Sequence, residues 1–505
     1  MTRTAGRRWD GADLLVVLDQ RLSVAAHALL GDDALGTTDG QPPGVRASAL
    51  VAQLIRLCQD PSRSDARWLL LTAAFGAFPT VDQLKTFGRY LELTPPEIAE
   101  SALLADVLND PRRGRVDLPM TLVDGGTLVD VDFCARNDTH TGIHRVVRET
   151  IPRWAVRHDV TAVAWVDKYT VFRTLGPPEA ARVFDYGTRP HIDAAGEASY
   201  RPQLVVPWRS VVVLSEVPDP RTSRCLAALA RYSGNRLSLI GYDMIPITSA
   251  ETRPPSDSVA FAGYLTVVKH AHRLAGISRS AAAEFAGFAA SVTAQGLAGP
   301  EVREVQLAGE APRAAAGPPA PRAARPVVLC LGTREPHKNQ RATLHAAERL
   351  WREGLDFEVR LVGGPGWSDT VIRRAIDDLL AARRPVTVLG RVSDEKLIEE
   401  IRSASFVVFA SLHEGYGLPV AEALATGTPV VTSNFGSQAE IAEAGGCLTV
   451  DPRDDDAITA ALRRLLTDAD ELERLRRETA ARPVRTWDEY ADELWEFLVA
   501  SEDMP

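Results

Sequence analysis

The stretch Ser411–Glu440, SLHEGYGLPVAEALATGTPVVTSNFGSQAE, decides how this chain is read. A continuously apolar run, Phe406–Phe409, precedes it and has strand length. Gly415 and Gly417 then interrupt the pattern, a helix opens near Pro419, and Pro429–Thr432 is the next strand. Ser437-Gln438-Ala439-Glu440 reads as a capping box for a further helix. The same alternation extends outward on both sides. Strands at Val327–Leu331, Glu358–Val362, Val386–Leu389 and Cys447–Val450 are interleaved with helices at Gln340–Arg352, Asp369–Ala382, Asp394–Ala404 and Asp455–Leu466. Near-continuous apolar strands joined by helices predict a parallel sheet covered on both faces, with ligands beyond the carboxyl ends of the strands.

The chain has 505 residues, 45% apolar and 25% charged, with a formal net charge of −10. That length accommodates about three domains. The acidic balance argues against a nucleic-acid partner, which a clustered basic face would mark. Five scattered cysteines in an odd number, with no zinc or redox spacing, predict a reducing, cytoplasmic setting. No stretch has the length of a spanning helix or the core of a signal peptide, so any membrane contact is expected to be peripheral.

Residues 1–118 show helical periodicity throughout and no cluster of chemistry-bearing side chains. They are read as a helical accessory domain. Residues 119–307 begin with a strand, Thr121–Phe133, and a helix from about Thr141 to Val156. They continue as an α/β domain with helices at Phe261–Ala275 and Ser280–Ala289. The Pro- and Ala-rich segment 308–326 is a linker, 327–484 forms the second α/β domain, and 485–505 carries an amphipathic final helix. The second domain is the acidic one: residues 326–505 carry 21 cations against 32 carboxylates.

Glu414 stands before the helix near Pro419 and Glu422 inside it. Two carboxylates around a glycine-lined helix start suit a ligand that has hydroxyls at both ends of a phosphate bridge. The Glu-x7-Glu spacing is weak alone, since helix surfaces are rich in glutamate. Joined to Gly-Tyr-Gly-Leu-Pro and Gly427-Thr428-Pro429, it resembles the donor site of the GT-B-fold, retaining glycosyltransferases of family 4.

That resemblance implies two facing Rossmann-like domains with parallel sheets, here preceded by an all-helical extension. It also implies transfer of a hexosyl group from a nucleotide-sugar to a saccharide or lipid-linked acceptor, in bacterial cell-surface polysaccharide synthesis, without a metal or other cofactor. In Gly332-Thr333-Arg334-Glu335-Pro336-His337-Lys338, Lys338 matches the family's diphosphate cation. The preceding position, usually Arg, is His337, so either His337 or Arg334 is left to supply a second cation. The resemblance assigns Glu422 to the ribose and Glu414 to the transferred sugar. The diphosphate falls to Lys338 with Gly415, Tyr416, Gly417 and Leu418, aided by Thr333. Val392 is assigned to the base, and Gly142 of Thr141-Gly142-Ile143-His144-Arg145 to the phosphate from the opposite domain. Asp243 either orients a hydroxyl of the reactants or is a turn aspartate. Asp130-Val131-Asp132 imitates a metal-binding motif of another fold, lies in the first strand of its domain and is read as coincidence. The final helix is expected to cross back onto the first α/β domain. Two alternatives stay open: a GT-B enzyme of another reaction, such as an epimerase or phosphorylase, and a non-catalytic scaffold.

Overall fold

The computed structural model describes residues 11–32, 40–109, 114–139, 141–187, 199–310 and 325–500. Two sheets organise it. The first contains β1 (Met120–Asp124), β2 (Thr127–Asp130), β3 (Val160–Trp165), β4 (Phe172–Arg173), β5 (Leu204–Trp208), β6 (Val211–Leu214), β7 (Arg236–Gly241), β8 (Arg273–Gly276) and β9 (Glu301–Glu304). Their spatial order is β1-β5-β4-β3-β2-β6-β7-β8-β9. All pairings are parallel except those of the two-residue β4.

The second sheet contains β10 (Val327–Leu331), β11 (Glu358–Val362), β12 (Val386–Gly390), β13 (Phe406–Phe409), β14 (Val430–Ser433) and β15 (Cys447–Val450), all parallel, in the order β12-β11-β10-β13-β14-β15. The chain runs one way from β10 and then returns to the other side of it. That reversal opens a crevice between β10 and β13, where open α/β sheets bind ligands. The first sheet reverses likewise between β2 and β6.

Three cores follow from the alternation of side chains along these strands. Leu128 of β2 points into a core shared with the N-terminal helices, whereas its neighbour Val129 points into the core between the two sheets. That middle core joins Val213 and Ile240 of the first sheet to Leu329 and Phe409 of the second, so the two α/β domains are packed against one another. Val328, Val359 and Val408 build the third core on the outer face of the second sheet.

Several expectations change here. The predicted strand Thr121–Phe133 is two strands, because Gly125, at φ +66°, turns the chain between β1 and β2. Asp130 therefore ends β2, while Asp132 opens a short helix, Asp132–Arg136. The predicted helix Phe261–Ala275 stops at Val268, and the apolar residues after it form β8. Ser437 and Glu440 do not form a capping box: Ser437 donates to the Glu414 carbonyl, and Glu440 accepts from the amides of Arg279 and Ser280 on the facing domain.

The N-terminal helices Gly11–Leu30, Pro43–Cys58, Ser64–Phe75, Val81–Leu93 and Pro96–Asn109 are not a separate body. Leu22, Leu54 and Trp68 share one core with Trp165, Phe172 and Val206 of the first sheet. Gln20 both donates to and accepts from the backbone of Met120, at 2.8 and 2.9 Å.

Of the expected linker, residues 311–324 lie outside the described residues, as do 501–505 of the final segment. The linker's first residue, Ala308, is buried beside Leu307. Thr486 caps the final helix, Trp487–Trp495, through a capping box with Glu489. This helix lies on the first α/β domain, where the Trp154 indole donates to the Ala491 carbonyl at 2.8 Å and Ser238 donates to Leu498.

Candidate active site

The carboxyl edges of the two sheets face each other across a cleft of about 1080 Å³. Its second-domain wall comes from the loops after β10, β11 and β12, the end of β13, and the segment 414–422. Its first-domain wall comes from the helix Gly142–Arg157, the segment 178–187, and Tyr242 and Asp243 after β7.

The loop after β10 is held from behind. Asn339, at φ +53°, spans its end and donates to the carbonyls of Ala410 and Pro452. Gln340 donates to the Gly332 carbonyl at 2.9 Å. This anchoring brings Lys338 into the cleft, where its ammonium donates to both oxygens of Glu414 at 2.7 and 2.9 Å. The same ammonium lies 5.3 Å from the Phe409 ring centroid. A flexible point charge held by one partner carboxylate can turn to a phosphate that enters the cleft.

Glu422 sits one turn inside the helix Leu418–Ala425 and is buried. Its partner is Arg145, reaching across from the first domain. Burial raises the Glu422 carboxyl above its ordinary value, and the Arg145 guanidinium opposes that rise.

Gly415 is a glycine for a different reason from the one its sequence context implies. A Cβ there would stand 2.2 Å from the Tyr242 carbonyl oxygen, so only glycine lets the donor loop close onto the end of β7. Ser278 of the first domain donates to the Gly415 carbonyl at 2.7 Å. Gly417 instead has φ +110°, the left-handed side, at the start of the helix.

The cleft also gathers Thr333, Gly142, Val392, Gly417, Leu418 and the Tyr416 ring. The Tyr416 hydroxyl donates to the Leu307 carbonyl at 3.1 Å. Asp243 lines the cleft and accepts from the Ile245 amide, as a turn aspartate would, while burial raises its carboxyl.

Neither candidate for the second cation faces the cleft. His337 is buried outside its lining, and burial, reinforced by Lys338, pushes the imidazole down to about 2, so the ring is neutral. Arg334 is committed to Asp369 at 2.6 Å and to the Gly363 carbonyl at 3.0 Å. The cations that do line the cleft beside Lys338 are Arg145, Arg182 and Arg391. Arg145 was within reach of the sequence: it follows the helix-opening Gly142 by three residues, which puts both on one face.

His413 joins the domains below the cleft. Its ring meets Ser249 at 2.8 Å and Glu284 at 3.2 Å. Burial works against its charge, but the hydrogen bond and charge of Glu284 outweigh it and raise the imidazole above its ordinary value.

Two sheets reversing at their centres, with a charged cleft between their carboxyl edges, define a GT-B-type glycosyltransferase fold. Among solved structures, sucrose-phosphate synthase from Thermosynechococcus elongatus is similar at TM-score 0.51 and 18% identity, over 75% of this chain and all of that one. Residues 318–482, within the second α/β domain, match the family model described as Glycosyl transferases group 1.

Among curated proteins, O-antigen chain mannosyltransferase B of Escherichia coli is 38% identical over 142 residues, which is 28% of this chain and 36% of that protein. Serotype-specific mannosyltransferase WbdA of Escherichia coli is 26% identical over 334 residues, 63% of this chain and 38% of that protein. The chain thus spans little more than a third of the length of these relatives. No helix among the described residues is long and apolar enough to cross a membrane.

Proposed function

We propose that this chain is a retaining glycosyltransferase that moves a hexosyl group, mannose in the first instance, from a nucleotide-sugar to a saccharide or lipid-linked saccharide acceptor in surface polysaccharide synthesis. One observation carries the reading. Two acid–base pairs, Lys338 with Glu414 and Arg145 with Glu422, stand in a single cleft at the switch point of the second sheet. The names of the relatives, an O-antigen chain mannosyltransferase and a serotype-specific mannosyltransferase, support the choice of sugar.

In this reading the ribose diol hydrogen-bonds the Glu422 carboxylate, and Val392 borders the base. The diphosphate lies between Lys338 and the start of the helix Leu418–Ala425, whose amides favour an anion. The bond from the anomeric carbon to the phosphate oxygen breaks as the acceptor oxygen bonds that carbon on the same face. The acceptor proton passes to the departing phosphate oxygen, releasing a nucleoside diphosphate. Lys338 is already in place to meet the growing phosphate charge, the condition under which a charged donor contributes most. Glu414 and Asp243 are left to hold hydroxyls of the transferred sugar and the acceptor. The same cation and amides bind the diphosphate without a metal.

Thermal-shift titration with GDP-mannose, UDP-glucose and dTDP-sugars, followed by product analysis with saccharide acceptors, tests this. A bound donor raises the apparent Tm by mass action. Transfer products with the donor's anomeric configuration are expected. Donor binding with no transfer to any acceptor would favour the epimerase or phosphorylase alternative, and no binding would favour the scaffold.

A further inference from the structure

A second cavity, about 340 Å³, lies in the first domain apart from the donor cleft. It falls within the range of small-molecule sites, about 300–1,000 Å³. Its position follows from topology. Asp130 ends β2 and Glu216 follows β6, and the first sheet reverses between those two strands. Each α/β domain therefore has a cavity at its own switch point, where such sheets bind ligands.

Its chemistry is one-sided. Five carboxylates line it, Asp130, Asp132, Glu216, Asp219 and Asp257, and among the described residues no lysine or arginine does. The neighbouring guanidinium groups are engaged by those acids: Arg136 by Asp132, Arg221 by Asp219 and Arg253 by Asp257. Glu216 is fixed by the amides of Phe133 and Cys134, and Asp130 by the Trp165 indole at 2.8 Å. Between the acids stand aromatic rings, among them the part-exposed Phe133. Rings that pack on C–H faces, with oriented carboxylates that accept from hydroxyls, match a pyranose. The absence of a cation in the wall opposes a second negative charge.

Elements of its wall also touch or continue into elements of the larger cleft. Pro246 in its wall lies three residues beyond Asp243 in the cleft. Phe133 stacks on His144, from the helix that Gly142 opens, with ring centroids 4.2 Å apart.

We propose that this cavity is an acceptor subsite and that it takes an uncharged sugar ring of the growing saccharide, discriminating against phosphorylated and uronic-acid sugars. The proposal rests on the reading of the larger cleft as the donor site. The test is hydrogen exchange on the full chain with α-linked mannobiose, mannose 6-phosphate and glucuronic acid, beside a separate titration with GDP and UDP. Mannobiose is expected to slow exchange at 216–220 and 257–264. Phe133→Ala should weaken its binding at least about tenfold, and Asp132→Asn serves as a second variant should Phe133→Ala lower the melting temperature. Three results overturn the proposal: charged sugars that bind as tightly as mannobiose, protection confined to the donor cleft, or no protection by the neutral sugar. Failure of both nucleotides to bind the cleft sinks the donor reading instead, and leaves sugar protection at 216–220 to be judged on its own.

Discussion

Arg145 of the first domain and Glu422 of the second form an ion pair across the cleft, with side chains only 12% and 11% exposed. Each closes off the other from water, so the pair ties the domains together across the cleft. Removing one partner leaves a buried charge without its counter-ion. Arg145→Met is therefore expected to cost about 3–5 kcal/mol of stability, and the double variant Arg145→Met/Glu422→Leu to regain most of it. Denaturant melts of the singles and the double check this. Additive losses would show that the pair is not coupled.

Lys338 is the cation of its loop that enters the cleft, and Glu414 holds it there. Lys338→Ala should lower kcat by about 10²–10³ with the fold intact, the size expected for a lost donor at a developing oxyanion. Lys338→Arg should recover only part, since a planar fork cannot pivot from Glu414 to phosphate as an ammonium does. Steady-state kinetics with melting curves in parallel make the measurement. Turnover of Lys338→Ala within about threefold of the parent would remove Lys338 from the site.

The His413–Glu284 contact predicts a pH dependence of definite sign. His413 is raised in the folded chain, so its contribution is full below the unfolded value near 6.5 and disappears as pH rises through the folded value. Glu284 is lowered: burial works to raise it, but the hydrogen bond and charge of His413 prevail, and its contribution is lost as pH falls below about 4.5. The Tm difference between the parent and His413→Gln should be widest between the ordinary carboxylate and imidazole values, about pH 4.5–6.5, and close as pH rises through the raised value of His413. A gap that does not vary with pH would mean that His413 acts only by packing.

The second domain was almost wholly legible, because each of its strands is a short apolar run between a helix and a turn, and that pattern has one parallel solution. Three candidate residues were placed on the same edge for a related reason: Lys338 and Glu414 lie in the segments that follow β10 and β13, and Glu422 lies one turn into the helix after β13. What sequence could not supply was contact between distant segments. Gly415 opposes Tyr242, and Glu440 caps the helix Arg279–Val292 across the domain boundary. His337 and Arg334 looked like free cations until burial and Asp369 claimed them. The Asp130–Asp132 pair, placed within one strand, was set aside because the resembled family needs no metal. Its residues fall instead on a strand end and a helix start, at the rim of a cavity.

Gly415 and Gly417 separate two kinds of glycine. Alanine at Gly417 meets nothing nearer than 3.5 Å but must hold φ +110°, a strain of about 1–2 kcal/mol. Alanine at Gly415 collides with the Tyr242 carbonyl at 2.2 Å and comes within 3.1 Å of the Asp243 Cβ. Gly415→Ala should therefore wedge the domains apart, raising the radius of gyration in solution scattering and reducing transfer, whereas Gly417→Ala should lower the melting temperature and leave the radius of gyration unchanged. Equal scattering profiles for the two variants would contradict this.

The helical extension and the first sheet should stand or fall together. Arg21 is fully buried and donates to four backbone carbonyls: those of Ala73 at 2.6 Å, Ala74 at 3.3 Å, Val116 at 2.5 Å and Leu118 at 3.2 Å. Burial lowers its guanidinium to about 10, with Asp117 opposing, so the group is still charged at neutral pH and works as a staple between the helices and the strand that begins at Met120. Arg21→Leu would leave those carbonyls without their donors, at about 1–3 kcal/mol for each group left unsatisfied. Deleting residues 1–118 would go further, exposing Leu128, Trp165, Phe172 and Val206 on one sheet face. That is a contiguous apolar surface of the kind that drives aggregation. The truncated chain is expected to be insoluble, and Arg21→Leu to unfold in a single cooperative transition at lower denaturant. A soluble truncation that melts with the parent would show that the extension is dispensable to the fold after all.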